Sequence, residues 1–289
     1  MTTQPSQVWM VTGCSTGFGR SLAEHLLDRG QKVVATARDV SSVADLADRG
    51  NALILPLDVV NREQCSEVVE AAVRHFGTID VLVNNAGIGY FGAIEETDDK
   101  IARLLFDVNF FGTANAIHAI LPVMRTQRSG TIINLTSIGG LSGFAAVGYY
   151  SASKFAVEGL SESLRIEVAP LGLNVMVVEP SGFRTNWAAS SNEVENPIED
   201  YDQTAGQARR AYHQSVGNQA GDPARAAAAI FSAATSAQPP QRLLLGNEAV
   251  DVALAKAATL QSDIAAWEHV SRAADYPDEE STDEQDNQR

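Results

Sequence analysis

Val8-Trp9-Met10-Val11-Thr12-Gly13-Cys14-Ser15-Thr16-Gly17-Phe18-Gly19-Arg20 decides how this chain folds. An apolar run of strand character ends in three closely spaced glycines, and an amphipathic segment carrying Leu22, Leu26 and Leu27 follows at helical spacing. Glycine permits a tight turn and close backbone approach, while the free N–H groups and dipole at a helix start attract phosphate. A glycine-rich loop alone is a weak signal, but between the first strand and the first helix it predicts a nucleotide site. Cys14 inside the loop reads as a small space-filling residue.

The same alternation continues outward. Candidate strands are Val8 to Thr12, Lys32 to Thr36, Ala52 to Leu55, Val81 to Asn84, Thr131 to Leu135, Asn174 to Val178 and Arg242 to Leu245. Helical segments separate them, the pattern of right-handed crossovers. The prediction is an α/β fold: one doubly wound, mostly parallel seven-stranded sheet with helices on both faces, occupying residues 1–273. Thr185 to Gly221, rich in Ala, Ser, Asn and Gln, follows the sixth strand at the sheet edge where ligands bind in such folds, and reads as a lid. Asp222 and Pro223 give the next helix a clean start.

Net charge is −15, and the last fifteen residues hold seven acids against one arginine. Residues 274–289 therefore read as a solvated, disordered acidic tail. The acidic remainder argues against nucleic-acid or anionic-membrane partners. Cys14 and Cys65 lack disulfide-framework or metal spacing, and the five histidines are scattered, so no metal is expected. The first residues lack a secretory layout, and no apolar run is long enough to span a bilayer, which makes the cytoplasm the expected compartment.

Tyr150 and Lys154 lie four residues apart in a helical segment, which places them on one helix face. Moving a phenol's ionisation from near pH 10 to near pH 7 takes about 4 kcal/mol. An ammonium about 4 Å away supplies about that much at an effective dielectric of about 20, and much less in water. The pair can therefore exchange protons with a substrate only where it is partly desolvated.

Thr-Gly-x-x-x-Gly-x-Gly followed far downstream by Tyr-x-x-x-Lys resembles the short-chain dehydrogenase/reductase family, in its compact, steroid- and retinol-dehydrogenase-like branch. The resemblance continues, in the family's order, through Asn84-Asn85-Ala86-Gly87, Asn109, Ser137 and Thr185. It implies a Rossmann-type fold and a catalytic set of Asn109, Ser137, Tyr150 and Lys154. Tyr150 would exchange a proton with the substrate oxygen as hydride moves to or from a nicotinamide. Lys154 would lower the tyrosine pKa and hold the ribose hydroxyls, Ser137 would fix the substrate oxygen, and Asn109 would help hold a water leading to Lys154. The cofactor contacts implied are Gly13, Ser15, Gly17, Phe18, Gly19, Arg38, Asp58, Val59, Asn85, Ala86, Gly87, Tyr150, Lys154, Pro180 and Thr185. Arg38 at the end of the second strand can pair with a 2′-phosphate, so NADP(H) is favoured over NAD(H), with Asp39 read as a turn or cap residue before Ser41 and Ser42.

One residue departs from the pattern. Relatives usually carry Pro-Gly after the sixth strand, whereas this chain has Pro180-Ser181-Gly182, and a serine needing positive φ there would be strained. Phe144, Phe183 and Trp187 are expected on an apolar pocket wall, which points to a secondary alcohol or ketone of small to medium size. Association into a homodimer or homotetramer is expected through the Tyr150 helix and the Thr97 to Gln127 helix. The alternative activity is a regulator that binds NADP(H) without turnover. An epimerase is a weaker reading still.

Overall fold

The computed structural model describes residues 6–276. Its strands and helices are, in chain order, β1 (Val8–Val11), α1 (Gly17–Asp28), β2 (Lys32–Ala37), β3 (Ala52–Pro56), α2 (Arg62–Phe76), β4 (Val81–Asn84), β5 (Tyr90–Phe91), α3 (Asp99–Phe106), α4 (Gly112–Gln127), β6 (Gly130–Leu135), α5 (Gly148–Val168), β7 (Leu173–Pro180), α6 (Trp187–Ser190), β8 (Asn192–Glu193), α7 (Gln207–Ser215), α8 (Pro223–Ala234), β9 (Arg242–Leu245) and α9 (Asn247–Arg272). Seven strands form one sheet in the order β3-β2-β1-β4-β6-β7-β9, and every pairing is parallel. This is the Rossmann-type arrangement, with the order reversing beside β1. β5 and β8 add a small parallel pair that the sequence pattern did not indicate.

Side chains alternate along each strand, so each strand feeds two cores. Trp9, Val11, Val33, Val83 and Met176 pack toward Leu22 and Leu26 of α1 and Ile230 and Phe231 of α8. Met10, Val34, Leu82, Ile132 and Val175 pack toward Val68 of α2, Ile120 and Met124 of α4 and Leu164 of α5. Both faces being covered explains why the strands read as nearly continuous apolar runs.

One expectation needs correction. Asp99–Gln127 is a continuous helical run of 29 residues with hydropathy 1.3, long and apolar enough by composition to cross a membrane. Its apolar character serves the fold instead: Ile117, Ile120 and Met124 are buried against the sheet. Asp222 caps α8 as expected, its Oδ1 accepting from Ala224 N at 2.8 Å. Of the acidic tail, Ala274, Asp275 and Tyr276 are exposed, and the rest lies outside the described residues.

Candidate active site

The glycine loop is built by what surrounds it. Asn85 Nδ2 donates to the carbonyls of Thr12 (2.8 Å) and Gly13 (2.9 Å), and Thr12 Oγ1 accepts from the N–H groups of Asn85 and Ala86, both at 3.0 Å. Gly19 is obligatory because a Cβ there would lie 2.4 Å from both Asn85 Nδ2 and Gly13 O. Gly17 has φ +60°, and a Cβ on it would face Thr185 at 3.5 Å. The ends of β1, β4 and β7 thus meet at one place. Thr16 lays no side chain over the first N–H groups of α1, and no acid stands in its first turn, so that helix start is open to an anion. Ser15 is exposed beside it, and Phe18 packs on Phe183 with ring centroids 5.0 Å apart.

Cys14 is buried and its Sγ donates to Val11 O at 3.2 Å. Burial pushes its thiol up to about 12, which fits a space-filling role.

Ser137, Tyr150 and Lys154 converge beside the turn after β6. A Cβ built on Gly139 would sit 3.3 Å from Tyr150 Cε1 and 3.4 Å from Ser137 Oγ. Lys154 is buried one turn below the phenol, its Nζ donating to Leu135 O at 2.9 Å and lying 5.8 Å from the Tyr150 ring centroid. The expected depression of the tyrosine is absent in the protein alone. Burial pushes Tyr150 up to about 12 against a lowering hydrogen bond from Ser137, and burial pulls Lys154 down to about 8. Desolvation outweighs the Ser137 hydrogen bond at Tyr150 and the charge of Glu158 at Lys154.

Asn109 reaches the same place by another route. It sits in a π-helical turn, Asp107–Phe111, between α3 and α4. Its Oδ1 accepts from Ile88 N at 2.8 Å, and its Nδ2 donates to Ile88 O and Ser153 Oγ, both at 3.0 Å. A Cβ on Gly87 would lie 3.2 Å from Asn109 Oδ1 and 3.6 Å from Lys154 Nζ, so Gly87 keeps open the space between them. The side chain of Asn109 thus ties the Ile88 backbone to Ser153 on α5.

A family model described as short chain dehydrogenase matches residues 7–196. The chain belongs to that family. The oxidoreductase BOA17 of Botryotinia fuckeliana is 34% identical over 93% of this chain and 99% of its own length. A 3-ketodihydrosphingosine reductase of Bacteroides thetaiotaomicron is 41% identical over 68% of this chain and 71% of its own. A short-chain dehydrogenase from Streptomyces avermitilis superposes with TM-score 0.87 at 41% identity, covering 94% of this chain and 100% of that one. Family structures from Burkholderia phymatum with NAD (25% identity, TM-score 0.76, 97% and 100% coverage) and Burkholderia cenocepacia with NADP (27%, 0.73, 92% and 98%) share the fold. The protein is therefore an NAD(P)-dependent oxidoreductase of small molecules, and its open helix start and glycine contacts fit a dinucleotide.

In this dehydrogenase the remaining expected contacts are distributed around that cleft. Arg38 follows β2 on the surface with no partner among the described residues, while Asp39 is committed to Ser41 N (2.9 Å) and Ser41 Oγ (2.7 Å), as a cap residue should be. Asp58 is exposed and accepts from Val60 N at 3.1 Å. Asn61 rather than Asp58 caps α2, accepting from Gln64 N at 3.1 Å. The Val59 side chain is buried on α4, where a Cβ on Gly112 would meet its Cγ2 at 2.5 Å.

Ser181 carries no strain. Among the described non-glycine residues only Arg128 and Ala146 take positive φ. Ser181 N donates to Leu245 O at 3.0 Å, and its Oγ occupies the room left by Gly246, whose Cβ would lie 2.4 Å from it. Pro180 ends β7 in register with Leu245. The expectation for Phe183 is overturned: it is buried in the core, not on the pocket wall, because a backbone bridge to Gly221 and the Phe18 ring hold it there.

The wall that does face Tyr150 is aromatic. Phe91, Val147 and Ala188 form a buried cluster joined by Phe144, Tyr150, Trp187 and Tyr212. Trp187 fits because Gly89 lacks a side chain: a Cβ there would fall 2.4 Å from its Cζ2. Sequence reasoning missed Phe91 and Tyr212, which lie on a two-residue strand and on a short, strongly polar helix. It also missed Thr12, which looked like the last residue of a strand.

Proposed function

We propose that this dehydrogenase reduces a ketone of small to medium size, largely apolar, to a secondary alcohol, preferring NADP(H), with Tyr150 as general acid. The observation that carries the reading is the approach of Ser137 Oγ and the Tyr150 ring to one point beside Gly139, with Lys154 buried beneath. When bound, the nicotinamide supplies the hydride. Tyr150 gives its phenolic proton to the substrate oxygen, and Ser137 holds that oxygen by a hydrogen bond. Lys154 would hold the ribose hydroxyls, and Asn109 fixes the Ile88 backbone beside Gly87. The backbone at Gly13, Ser15, Gly17, Phe18 and Gly19 would hold the pyrophosphate, and Asn85, Ala86 and Gly87 would line the cofactor cleft. Asp58 and Val59 would contact the adenine, and Pro180 and Thr185 the nicotinamide. The uncommitted Arg38 guanidinium supports a 2′-phosphate contact.

The aromatic wall supports an apolar substrate, and the 3-keto relative supports reduction of a ketone. Residues 185–221 act as a lid: its ends are pinned where Arg184 N donates to Gly221 O at 3.0 Å, and Val194 N latches it to Phe91 O at 2.8 Å. Association into a homodimer or homotetramer uses the Asp99–Gln127 helical run, where Phe111 is exposed, and α5, where Phe155 and Ile166 are exposed. The cytoplasm suits an acidic enzyme whose two cysteines are both free and buried.

The decisive experiment follows NADPH oxidation across a ketone panel. Tyr150→Phe should abolish turnover while cofactor binding persists, and undiminished turnover would rule the proposed acid out.

A further inference from the structure

Behind Lys154 lies a group of charges that the reaction outlined above does not use. Glu158, one turn further along α5, has its side chain 7% exposed, and Glu179, the penultimate residue of β7, is fully buried. Both reach Nη1 of Arg242 on β9, Glu158 through Oε2 at 2.9 Å and Glu179 through Oε1. Nη2 of the same arginine binds Glu162 Oε1 at 2.7 Å. One guanidinium therefore serves three carboxylates. The second oxygens of the inner pair, Glu158 Oε1 and Glu179 Oε2, are buried without a hydrogen-bond partner. Thr136, beside Glu158, donates its hydroxyl hydrogen to Val178 O at 3.1 Å. Two ionised carboxylates on one nitrogen, each with a dry oxygen, are unfavourable, and a single proton placed between them relieves both penalties.

The group is packed against the site. A Cβ on Gly140, in the turn that follows Ser137, would lie 3.2 Å from Glu158 Cγ and 3.4 Å from the Lys154 carbonyl carbon. Leu135 and Thr136, adjacent at the end of β6, touch Lys154 and Glu158 respectively.

We propose that Glu158 and Glu179 share one proton at neutral pH, and that the single negative charge remaining on the pair, oriented by Arg242, keeps the buried Lys154 ammonium charged. Glu158 is thereby a positioning residue, and its catalytic importance rests on the reading of Tyr150 and Lys154 given above. The charged groups facing it are Lys154 and Glu162 along α5, Glu179 from β7 and Arg242 from β9. Arg165, further along α5, is committed to the carbonyls of Val175 and Gln241. The directions agree: burial raises Glu158, burial and then the charge of Glu158 raise Glu179, and Glu158 opposes the fall that burial imposes on Lys154.

The test needs neither cofactor nor substrate. The chain has four lysines, so side-chain NMR of lysine-labelled full-length protein can follow Lys154, assigned by its absence in Lys154→Arg. In Glu158→Gln the Lys154 titration should move down by about half a pH unit or more, because the charge retreats to Glu179. In Glu179→Gln it should not move down, because the charge then stays on Glu158. An unmoved titration in Glu158→Gln, or an equal fall in both variants, overturns the proposal. Should Glu158→Gln fail to fold, infrared spectra of the wild type at pH 7 must show a protonated carboxyl that Glu179→Gln lacks, and its absence from the wild type is equally fatal. Failure of the enzymatic reading would instead appear as turnover surviving Tyr150→Phe, which leaves these titrations untouched.

Discussion

The indole of Trp187 lies against the phenol of Tyr150, with ring centroids 4.9 Å apart and planes inclined by 54°. Trp187 opens the short helix α6 just past Thr185, so the segment proposed as a lid rests directly on the proposed acid. Phe91 supports the indole from the other side at 5.6 Å, edge to face. The positions of the Trp187 indole and the Tyr150 phenol are therefore set together.

Trp187→Ala should free the phenol ring and widen the cleft. An aromatic contact of this kind is worth about 0.5–1.5 kcal/mol, so kcat/KM for the smallest ketone turned over should fall roughly threefold to tenfold. Bulkier ketones should lose less or gain. Steady-state kinetics over a homologous ketone series checks this, and a uniform loss at every size would argue that Trp187 only stabilises the lid.

Thr12→Val removes the acceptor for two backbone N–H groups, Asn85 and Ala86, at the junction of β1 and β4. Each unsatisfied donor costs about 1–3 kcal/mol, enough to lower Tm by several degrees and loosen the glycine loop. Thr12→Ser keeps the oxygen and should behave nearly as wild type. Thermal unfolding together with dinucleotide affinity measures both effects. Equal Tm in valine and wild type would show that these N–H groups find other partners.

The parts of the molecule that were legible in the sequence are those whose constraints are local. Gly13, Gly17 and Gly19 announce a turn within seven residues, and Tyr150 and Lys154 share a helix face by spacing alone. Asp39 and Asp222 were readable as caps because a capping bond spans two or three residues. The Glu158, Glu179 and Arg242 cluster was invisible because its members come from α5, β7 and β9 and meet only through the parallel register of β7 with β9. The π-helical turn around Asn109 and the burial of Phe183 escaped for the same reason. The phenol's ionisation in the protein alone was not legible, because spacing reveals the lysine's charge but not how far both groups are desolvated.

Arg38→Ala should separate the two cofactors. The guanidinium has no partner to lose among the described residues, so stability should change little. Losing a charge-assisted contact to a 2′-phosphate should weaken NADPH by roughly tenfold or more and leave NADH nearly unchanged. Parallel KM measurements decide it, and equal losses for both cofactors would sink the assignment.

Glu179 gives stability a characteristic pH dependence. Its folded pKa is raised from 4.5 to about 7, chiefly by burial, so the folded state holds a proton that the unfolded chain has already released over that interval. Its stabilising contribution is complete below about pH 4.5 and is lost as pH rises through about 7. Glu179→Gln should flatten that part of the Tm profile and be more stable than wild type above pH 7. A wild-type Tm that climbs from pH 5 to 7 by an amount Glu179→Gln abolishes would reverse the sign and refute the assignment.

The direction of catalysis should follow from the same physics at Tyr150. With burial holding the phenol near 12, the group carries its proton at pH 7 and is ready to donate to a ketone oxygen. Taking a proton from an alcohol requires the phenolate, whose fraction rises tenfold per pH unit below that value. Lys154, lowered to about 8, is charged at pH 7 and loses its charge above that point, removing a cation that favours the phenolate. Reduction should therefore run at full rate between about pH 6 and 7 and change only when Lys154 titrates, whereas oxidation of the matching alcohol should climb steeply up to about pH 8 and then less steeply. Measuring kcat/KM in both directions with one ketone–alcohol pair tests this. An oxidation rate independent of pH between 6 and 8, with hydride transfer shown to be rate-limiting, would mean that the phenol is already ionised and that the cofactor or lid removes the penalty its burial imposes.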